Sequence, residues 1–164
     1  MRRVAAIGLT VVALGLAAWY LLARADAGAM VTSRLHAFAE VVNNSTVDGQ
    51  SPEVHGAQLA AFFAEDVEVD FGQGTPPIRG RDTVIGMAER LQPRTAAFRL
   101  EFEDVSVAMA PSGETADVRL TAEFIRRSIT TGEESLDARE FSLGMRRVGG
   151  EWRIARVTAV ETLK

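Results

Sequence analysis

The sequence predicts an α+β protein, with an N-terminal transmembrane helix followed by one conical domain. Apolar residues recur at helical spacing between residues 30 and 92, whereas alternation with period two prevails from residue 97 onward. Helices followed by a run of long antiparallel strands are typical of the α+β class. Bulges expected within those strands would bend the sheet around the helices. We therefore expect three helices packed on a bent antiparallel sheet.

Composition restricts the function before any motif is considered. The chain has 164 residues, enough for one domain, and no cysteine, which excludes disulfides, thiol nucleophiles and zinc–thiolate sites. The net charge is -4, and residues 27–164 carry -6 because the four charged residues before them sum to +2. An acidic body disfavours nucleic-acid binding, which needs clustered cations. No cofactor is expected.

Residues 4–23, VAAIGLTVVALGLAAWYLLA, form an uncharged apolar run. As a helix it would be about 30 Å long, the thickness of the hydrocarbon core of a bilayer. Arg2 and Arg3 precede the run, and Trp19 and Tyr20 lie where an interfacial aromatic belt is expected. This pattern predicts a single-pass anchor in the cytoplasmic membrane, with the C-terminal domain exported.

A cleavable signal peptide is the alternative. Ala23-Arg24-Ala25 and Ala27-Gly28-Ala29 both resemble cleavage sites, although signal-peptide cores usually run only about 7–15 residues. We assign residues 1–25 to the signal-anchor and residues 26–164 to the domain. Both interpretations export residues 25–164, as a membrane-bound or a secreted, periplasmic protein.

Three helices are predicted in order along the domain. The first carries Val31, Leu35, Phe38, Ala39 and Val42 at helical spacing. The second begins at Ser51-Pro52-Glu53, an N-cap followed by a first-turn proline and acid. The third is the segment DTVIGMAERLQ, which Pro93 ends.

The strands follow from alternation. Residues 67–71 alternate, and the later strands change parity twice, which requires a bulge near Glu103-Asp104 and a second near Arg139-Glu140. Gly149-Gly150 turn the chain into the last strand.

Three stretches together resemble the nuclear-transport-factor-2-like superfamily, which includes ketosteroid isomerase, scytalone dehydratase and the SnoaL-like polyketide cyclases. They are LAAFFAEDVEVDF, IRGRDTVIGMAERL and GGEWRIARVTAVE, and the resemblance covers roughly residues 30–163. It implies a conical fold, an apolar pocket between sheet and helices, and often a homodimer. Pocket residues expected from it are Phe63, Phe71, Met87, Phe102, Phe124 and Trp152.

Set beside ketosteroid isomerase, the chain lacks the usual catalytic groups. The position of the isomerase aspartate falls on Phe71, and a shift of one residue turns Asp70 to the opposite face of the strand. The isomerase tyrosine falls near Leu35 or His36, and the later acid has only Glu140 as a rough counterpart. Isomerase chemistry is therefore not expected.

The weak catalytic candidates are His36, Glu140 and Arg156. His36 lies beside the apolar stripe of the first helix, either as a boundary residue or as a pocket acid or base. Arg156 is in phase with Trp152 and Ile154, so it faces the interior unless a bulge after Ile154 turns it outward. His55 is expected at the surface, and no metal site is predicted.

Two functions remain open at this stage. The first is a membrane-anchored module without catalysis, which binds a small apolar ligand or an envelope protein partner. The second is a SnoaL-like or dehydratase-type enzyme with a non-standard site. Converging polar groups in the pocket would favour the enzyme, whereas a dry pocket would favour binding.

Overall fold

The computed structural model describes residues 26–44, 52–72, 74–91, 96–128 and 130–160. The predicted membrane-spanning run, residues 4–23, lies outside these ranges. Within them, no helix combines the length and the hydropathy that crossing a bilayer requires.

The helices are those that the sequence predicts. Helix α1 covers residues 26–44, α2 is Pro52–Ala60 and α3 is Arg81–Leu91. Val31, Leu35 and Ala39 lie one turn apart on α1 and are all buried. This stripe packs α1 on the sheet.

The sheet has six strands within the described part of the chain, in the order β2-β1-β6-β5-β4-β3. Their bounds are β1 Phe63–Asp70, β2 Ile78–Arg79, β3 Ala96–Met109, β4 Thr115–Ser128, β5 Glu134–Val148 and β6 Glu151–Ala159. The α+β class is confirmed, but the sheet is mixed rather than purely antiparallel, because β1 runs parallel to β6. Parallel neighbours cannot be joined by a hairpin, and here the rest of the domain connects them.

The bulge predicted near Glu103-Asp104 is confirmed. Glu103 lies opposite Thr121 and Ser106 lies opposite Arg119, so β3 holds one extra residue here. Asp104 adopts a φ of 52° at this point. The inward face of β3 therefore changes from even-numbered to odd-numbered residues, and the strand bends.

The second bulge, predicted in β5, is wrong. Strand β5 pairs with β4 without a break from Glu134 to Arg146. Leu136 instead lies on the outer face, where it is 60% exposed, while Asp137 and Arg139 take the inward positions. Polar side chains tolerate those positions because they lie at an open groove rather than in the core.

The irregularity lies in β6 instead. Gly144 is opposite Arg156 and Met145 is opposite Ile154, which leaves Ala155 as the extra residue. The bulge after Ile154 turns Arg156 outward and brings Val157 inward. Of the two orientations considered for Arg156, the structure shows the outward one.

Asn43 joins the end of α1 to β3, the last strand of the sheet order. Its side-chain Oδ1 accepts a hydrogen bond from the Leu100 backbone N–H at 2.6 Å, and its Nδ2 donates to the Leu100 carbonyl at 2.9 Å. One amide thus satisfies both backbone groups of an edge residue, as a neighbouring strand would.

An ion pair ties β1 to β5 across the intervening β6. The Arg146 guanidinium donates hydrogen bonds to both carboxylate oxygens of Asp66. These bonds stabilise the charged form and hold the pKa of Asp66 below its ordinary value. Both side chains are on the surface and away from the interior that the helices cover.

Candidate functional site

A cavity of about 420 Å³ lies between the inner face of the sheet and the three helices. This volume is within the range of small-molecule sites, which is roughly 300–1,000 Å³. Its walls come from three helices and five strands. The lining residues are Leu35, Phe38, Val42, His55, Leu59, Phe63, Val69, Phe71, Val84, Ala88, Phe98, Leu100, Phe102, Leu120, Ala122, Phe124, Phe141, Leu143, Ile154 and Val157.

Aromatic contacts shape the walls. Phe38 of α1 packs edge-to-face against Phe63 at 5.5 Å between ring centroids and lies nearly parallel to Phe102 at 6.4 Å. On the sheet, the Phe124 ring lies 6.1 Å from Phe98 and 6.4 Å from Phe141. Rings with several aromatic neighbours have little rotational freedom, so the cavity is held open by packed side chains.

Four of the six predicted pocket residues line the cavity, and two do not. Phe63, Phe71, Phe102 and Phe124 contribute to its walls. Met87 is 39% exposed, because α3 presents Val84 and Ala88 to the cavity at i, i+4 spacing instead.

Trp152 lies in the core rather than in the cavity wall. Its side chain is 3% exposed, and the Arg147 guanidinium lies 5.4 Å from its ring centroid. Two residues further along β6, Ile154 takes the position that reaches the cavity. The placement of Trp152 in the pocket is therefore corrected.

Asp70, the last residue of β1, does not line the cavity. The Asp70 carboxylate accepts a hydrogen bond from the Gly72 backbone N–H at 2.8 Å, which closes a turn. Phe71, directly after the strand, lines the cavity and is 46% exposed. We define the mouth of the cavity as its open end beside this ring.

The three catalytic candidates lie outside the cavity. His36, Glu140 and Arg156 are all exposed, and none contributes to its lining. Arg156 instead packs over Gly144, where a Cβ atom added to the glycine would lie 3.4 Å from the Arg156 Cβ. None of the three weak candidates therefore supplies an acid or a base to the cavity lining.

His55 lies inside the domain, and its predicted surface position is wrong. It is 6% exposed, and no other polar or charged residue among the described positions is buried. Its Nε2 is buried and has no hydrogen-bond partner among the residues that the structure describes. It is also the polar member of an otherwise apolar lining. His55 lies one helical turn before Leu59, so the two side chains are on the same face of α2. This spacing is the sequence signal for an inward orientation of His55.

Replacing His55 with leucine should raise the free energy of unfolding by about 1 kcal/mol, because a buried polar atom without a partner is removed. Urea unfolding measures this change, and His55→Gln, which keeps a polar side chain, serves as the control. A clear loss of stability in His55→Leu would show instead that the imidazole has a structural partner.

A second groove of about 300 Å³ adjoins the cavity and shares four phenylalanine rings with it. We call it the arginine groove. It is lined by Phe71, Phe98, Phe124, Arg126, Asp137, Arg139, Phe141 and Ala159. Arg139 Nε lies 3.3 Å from an Asp137 carboxylate oxygen. Within the described ranges, the Arg126 side chain forms neither an ion pair nor a hydrogen bond.

Taken together, the cavity can enclose an apolar molecule and offer it one hydrogen bond from inside. Acid–base chemistry needs a second polar group within reach of the reacting atoms, and the described part of the lining holds one polar side chain, that of His55. Among the described residues, no three histidine or carboxylate side chains are grouped as metal ligands.

Several solved structures share this fold. A proposed scytalone dehydratase from Novosphingobium aromaticivorans superimposes with a TM-score of 0.67 at 17% identity, covering 88% of this chain and 87% of that one. ActVI-ORFA from Streptomyces coelicolor gives 0.64 at 15% identity, covering 80% and 94%. A proposed aromatic ring hydroxylase from N. aromaticivorans gives 0.66 at 17% identity, covering 85% and 91%. At these identities the likeness concerns the fold.

A search of curated protein sequences gives no significant match. The model of the SnoaL-like domain family, by contrast, matches residues 46–158. That range contains α2, α3 and the six strands, except for Ala159 at the end of β6. The chain therefore belongs to the SnoaL-like domain family, within the nuclear-transport-factor-2-like fold.

Proposed function

We propose that this domain binds a small, largely apolar molecule in its cavity. The observation that carries the proposal is a volume of about 420 Å³ whose lining is apolar except for His55. Pockets of this kind obtain affinity from apolar burial and orientation from a few polar groups. The unpartnered Nε2 of His55 would hydrogen-bond to a polar atom of the ligand.

Binding is favoured over catalysis by the small number of polar groups. A dehydratase- or cyclase-type reaction requires a base and a donor placed on either side of the reacting atoms. Phe71 occupies the position where the resemblance places the isomerase base, and His36, Glu140 and Arg156 are exposed. The names of two structural relatives mention dehydratase and hydroxylase activities. At 17% identity, however, the likeness supports a shared fold and not a shared activity.

We also propose a cellular location for the protein. Residues 4–23 would anchor the protein in the cytoplasmic membrane with the domain exported, and cleavage after this segment would leave a secreted form instead. Fractionation of a C-terminally tagged protein tests the anchor. Extraction of the domain by a carbonate wash would contradict it.

A protein partner or a second copy is also proposed. Ile125 and Leu136 lie opposite each other on the outer face of the sheet, and Leu136 is 60% exposed. Contact with another copy or with an envelope protein would cover this apolar spot. Sedimentation of the protein with Leu136→Glu tests whether this face mediates self-association.

Filling the cavity should abolish ligand binding. Ala122 and Ala88 both line it, so Ala122→Phe and Ala88→Trp place additional side-chain volume inside. We expect the affinity for N-phenyl-1-naphthylamine, an uncharged fluorescent probe, to fall about tenfold or more in each variant. Ala138→Phe is the matched control, because Ala138 is exposed on the outer face of β5.

Each variant is checked for a cooperative thermal transition before titration. Equal probe binding by the native protein and by folded Ala88→Trp and Ala122→Phe would contradict the cavity as the binding site.

A further inference from the structure

We propose that the ligand is an amphiphilic carboxylic acid, whose apolar body fills the cavity and whose carboxylate is bound by the arginine groove. This inference rests on the proposed function and specifies the chemical class of the ligand. Three observations lead to it: the groove continues the cavity, it presents cationic groups at the mouth, and one of those groups has no partner among the described residues.

The first observation is continuity. Phe71, Phe98, Phe124 and Phe141 line both spaces, so a molecule leaving the cavity passes directly into the arginine groove. On β4 the inward residues run Ala122, Phe124 and then Arg126, from the cavity wall to the groove. An apolar surface thus leads without interruption to a guanidinium.

The second observation is the sign of the charge. The described residues of the groove include Arg126, Arg139 and Asp137, whose side chains sum to one positive charge. The domain as a whole is acidic, with residues 27–164 carrying -6. A local excess of positive charge at the mouth of an apolar cavity favours an anionic group there.

The third observation is the pairing within the groove. Asp137 is already engaged by Arg139 through Nε at 3.3 Å. Arg126 lies opposite Ser135 and one diagonal step from Asp137 on the same face, and it has no ion pair among the described residues. Its guanidinium therefore has the planar set of donors that binds a carboxylate in bidentate fashion.

The size of the net charge selects a carboxylate rather than a phosphate. A single positive charge matches the monoanion of a carboxylic acid, whereas a phosphate dianion would remain half compensated beside Asp137. A cationic amphiphile would meet Arg126 without a counter-charge. The apolar lining of the cavity suits an aliphatic chain or an aromatic ring attached to the acid.

The test compares decanoate with 1-decanol, two ligands of equal chain length that differ in the charged group. Each is titrated against N-phenyl-1-naphthylamine bound to the native protein, to Arg126→Gln and to Arg127→Gln. Arg127 is the matched control, because it is the next residue of β4, is exposed and points to the opposite face.

We expect the affinity for decanoate to fall about three- to tenfold in Arg126→Gln and to remain unchanged in Arg127→Gln. The affinity for decanol should be the same in all three proteins. In the native protein, raising the salt concentration should weaken decanoate binding and leave decanol binding unaltered.

Loss of decanoate affinity to the same extent in both arginine variants would overturn the proposal, because it would reflect overall charge. Equal weakening of decanol and decanoate in Arg126→Gln would also overturn it. Binding of decanol alone would overturn the acidic class and leave the apolar site in place. Failure of both ligands to displace the probe would overturn both proposals together.

Discussion

Replacing Trp152 with alanine should lower the free energy of unfolding by about 3–5 kcal/mol, the usual cost of deleting a buried aromatic side chain. The ring is 3% exposed and belongs to the main core, together with Met145 and Val118. The deletion would leave a void beneath α1 that the long strands cannot close by small movements. Chemical denaturation with urea measures the loss.

Two control variants distinguish the contribution of core packing to stability from that of the cavity wall. Trp152→Phe should cost less than about 1.5 kcal/mol, because the indole Nε1 has no hydrogen-bond partner to lose in the described part of the chain. Phe71→Ala should also cost about 1 kcal/mol or less, because the ring is 46% exposed, but it should weaken ligand binding at the mouth. Similar losses of stability for Trp152→Ala and Phe71→Ala would contradict the placement of Trp152 in the core and of Phe71 at the mouth of the cavity.

Replacing Arg34 with alanine should lower the free energy of unfolding by about 2–3 kcal/mol, through the loss of charge-assisted hydrogen bonds and of packing. Its Nη2 donates to the Ala61 carbonyl at 2.7 Å, and its Nε donates to the Trp152 carbonyl at 3.2 Å. The guanidinium also lies 4.2 Å from the Phe62 ring centroid. One side chain therefore connects α1 to β6 and to the segment between α2 and β1.

The variant Arg34→Lys tests whether the geometry of the guanidinium, rather than its positive charge alone, stabilises the fold. Lysine keeps the positive charge but lacks the planar fork, so we expect it to recover less than half of the lost stability. Glu151→Gln should change the stability by less than about 0.5 kcal/mol, because Glu151 is 63% exposed and 3.5 Å from Arg34. Full recovery by lysine would contradict the role of the two carbonyl contacts.

Local patterns predicted those parts of the fold that depend on nearby residues. The α+β order, the helix beginning at Pro52 and the bulge at Glu103-Asp104 all follow from apolar spacing, capping residues and parity. The bulge is visible in the sequence because apolar residues that pack against the core occupy both halves of β3, and an extra residue is required between them. In β5, an apolar Leu136 at an even position before Phe141 at an odd one suggests a bulge that the structure does not contain. Leu136 is exposed, since the inward positions of that segment face a groove.

Orientation on short helices was harder to predict. On α2, His55 lies inside while Val54 is 49% exposed, and on α3 Ala88 lines the cavity while Met87 does not. Adjacent residues on a helix differ by about 100° in direction, so hydrophobicity alone does not decide which of two neighbouring stripes faces the interior. Arg34 was missed because its acceptors are backbone carbonyls far along the chain, which no sequence pattern marks.

By itself, the sequence determined the class of the domain and the order of its elements. It also determined that Phe71, and not a carboxylate, takes the inward position directly after β1. Periodicity and parity are properties of consecutive residues, so they can be read along the chain. Only the tertiary structure decided that His55 enters the cavity, that Trp152 lies in the core and that Arg126 stands at the mouth. Those placements depend on three helices and five strands meeting around one space, and residues that are distant in sequence share its walls only after the chain has folded.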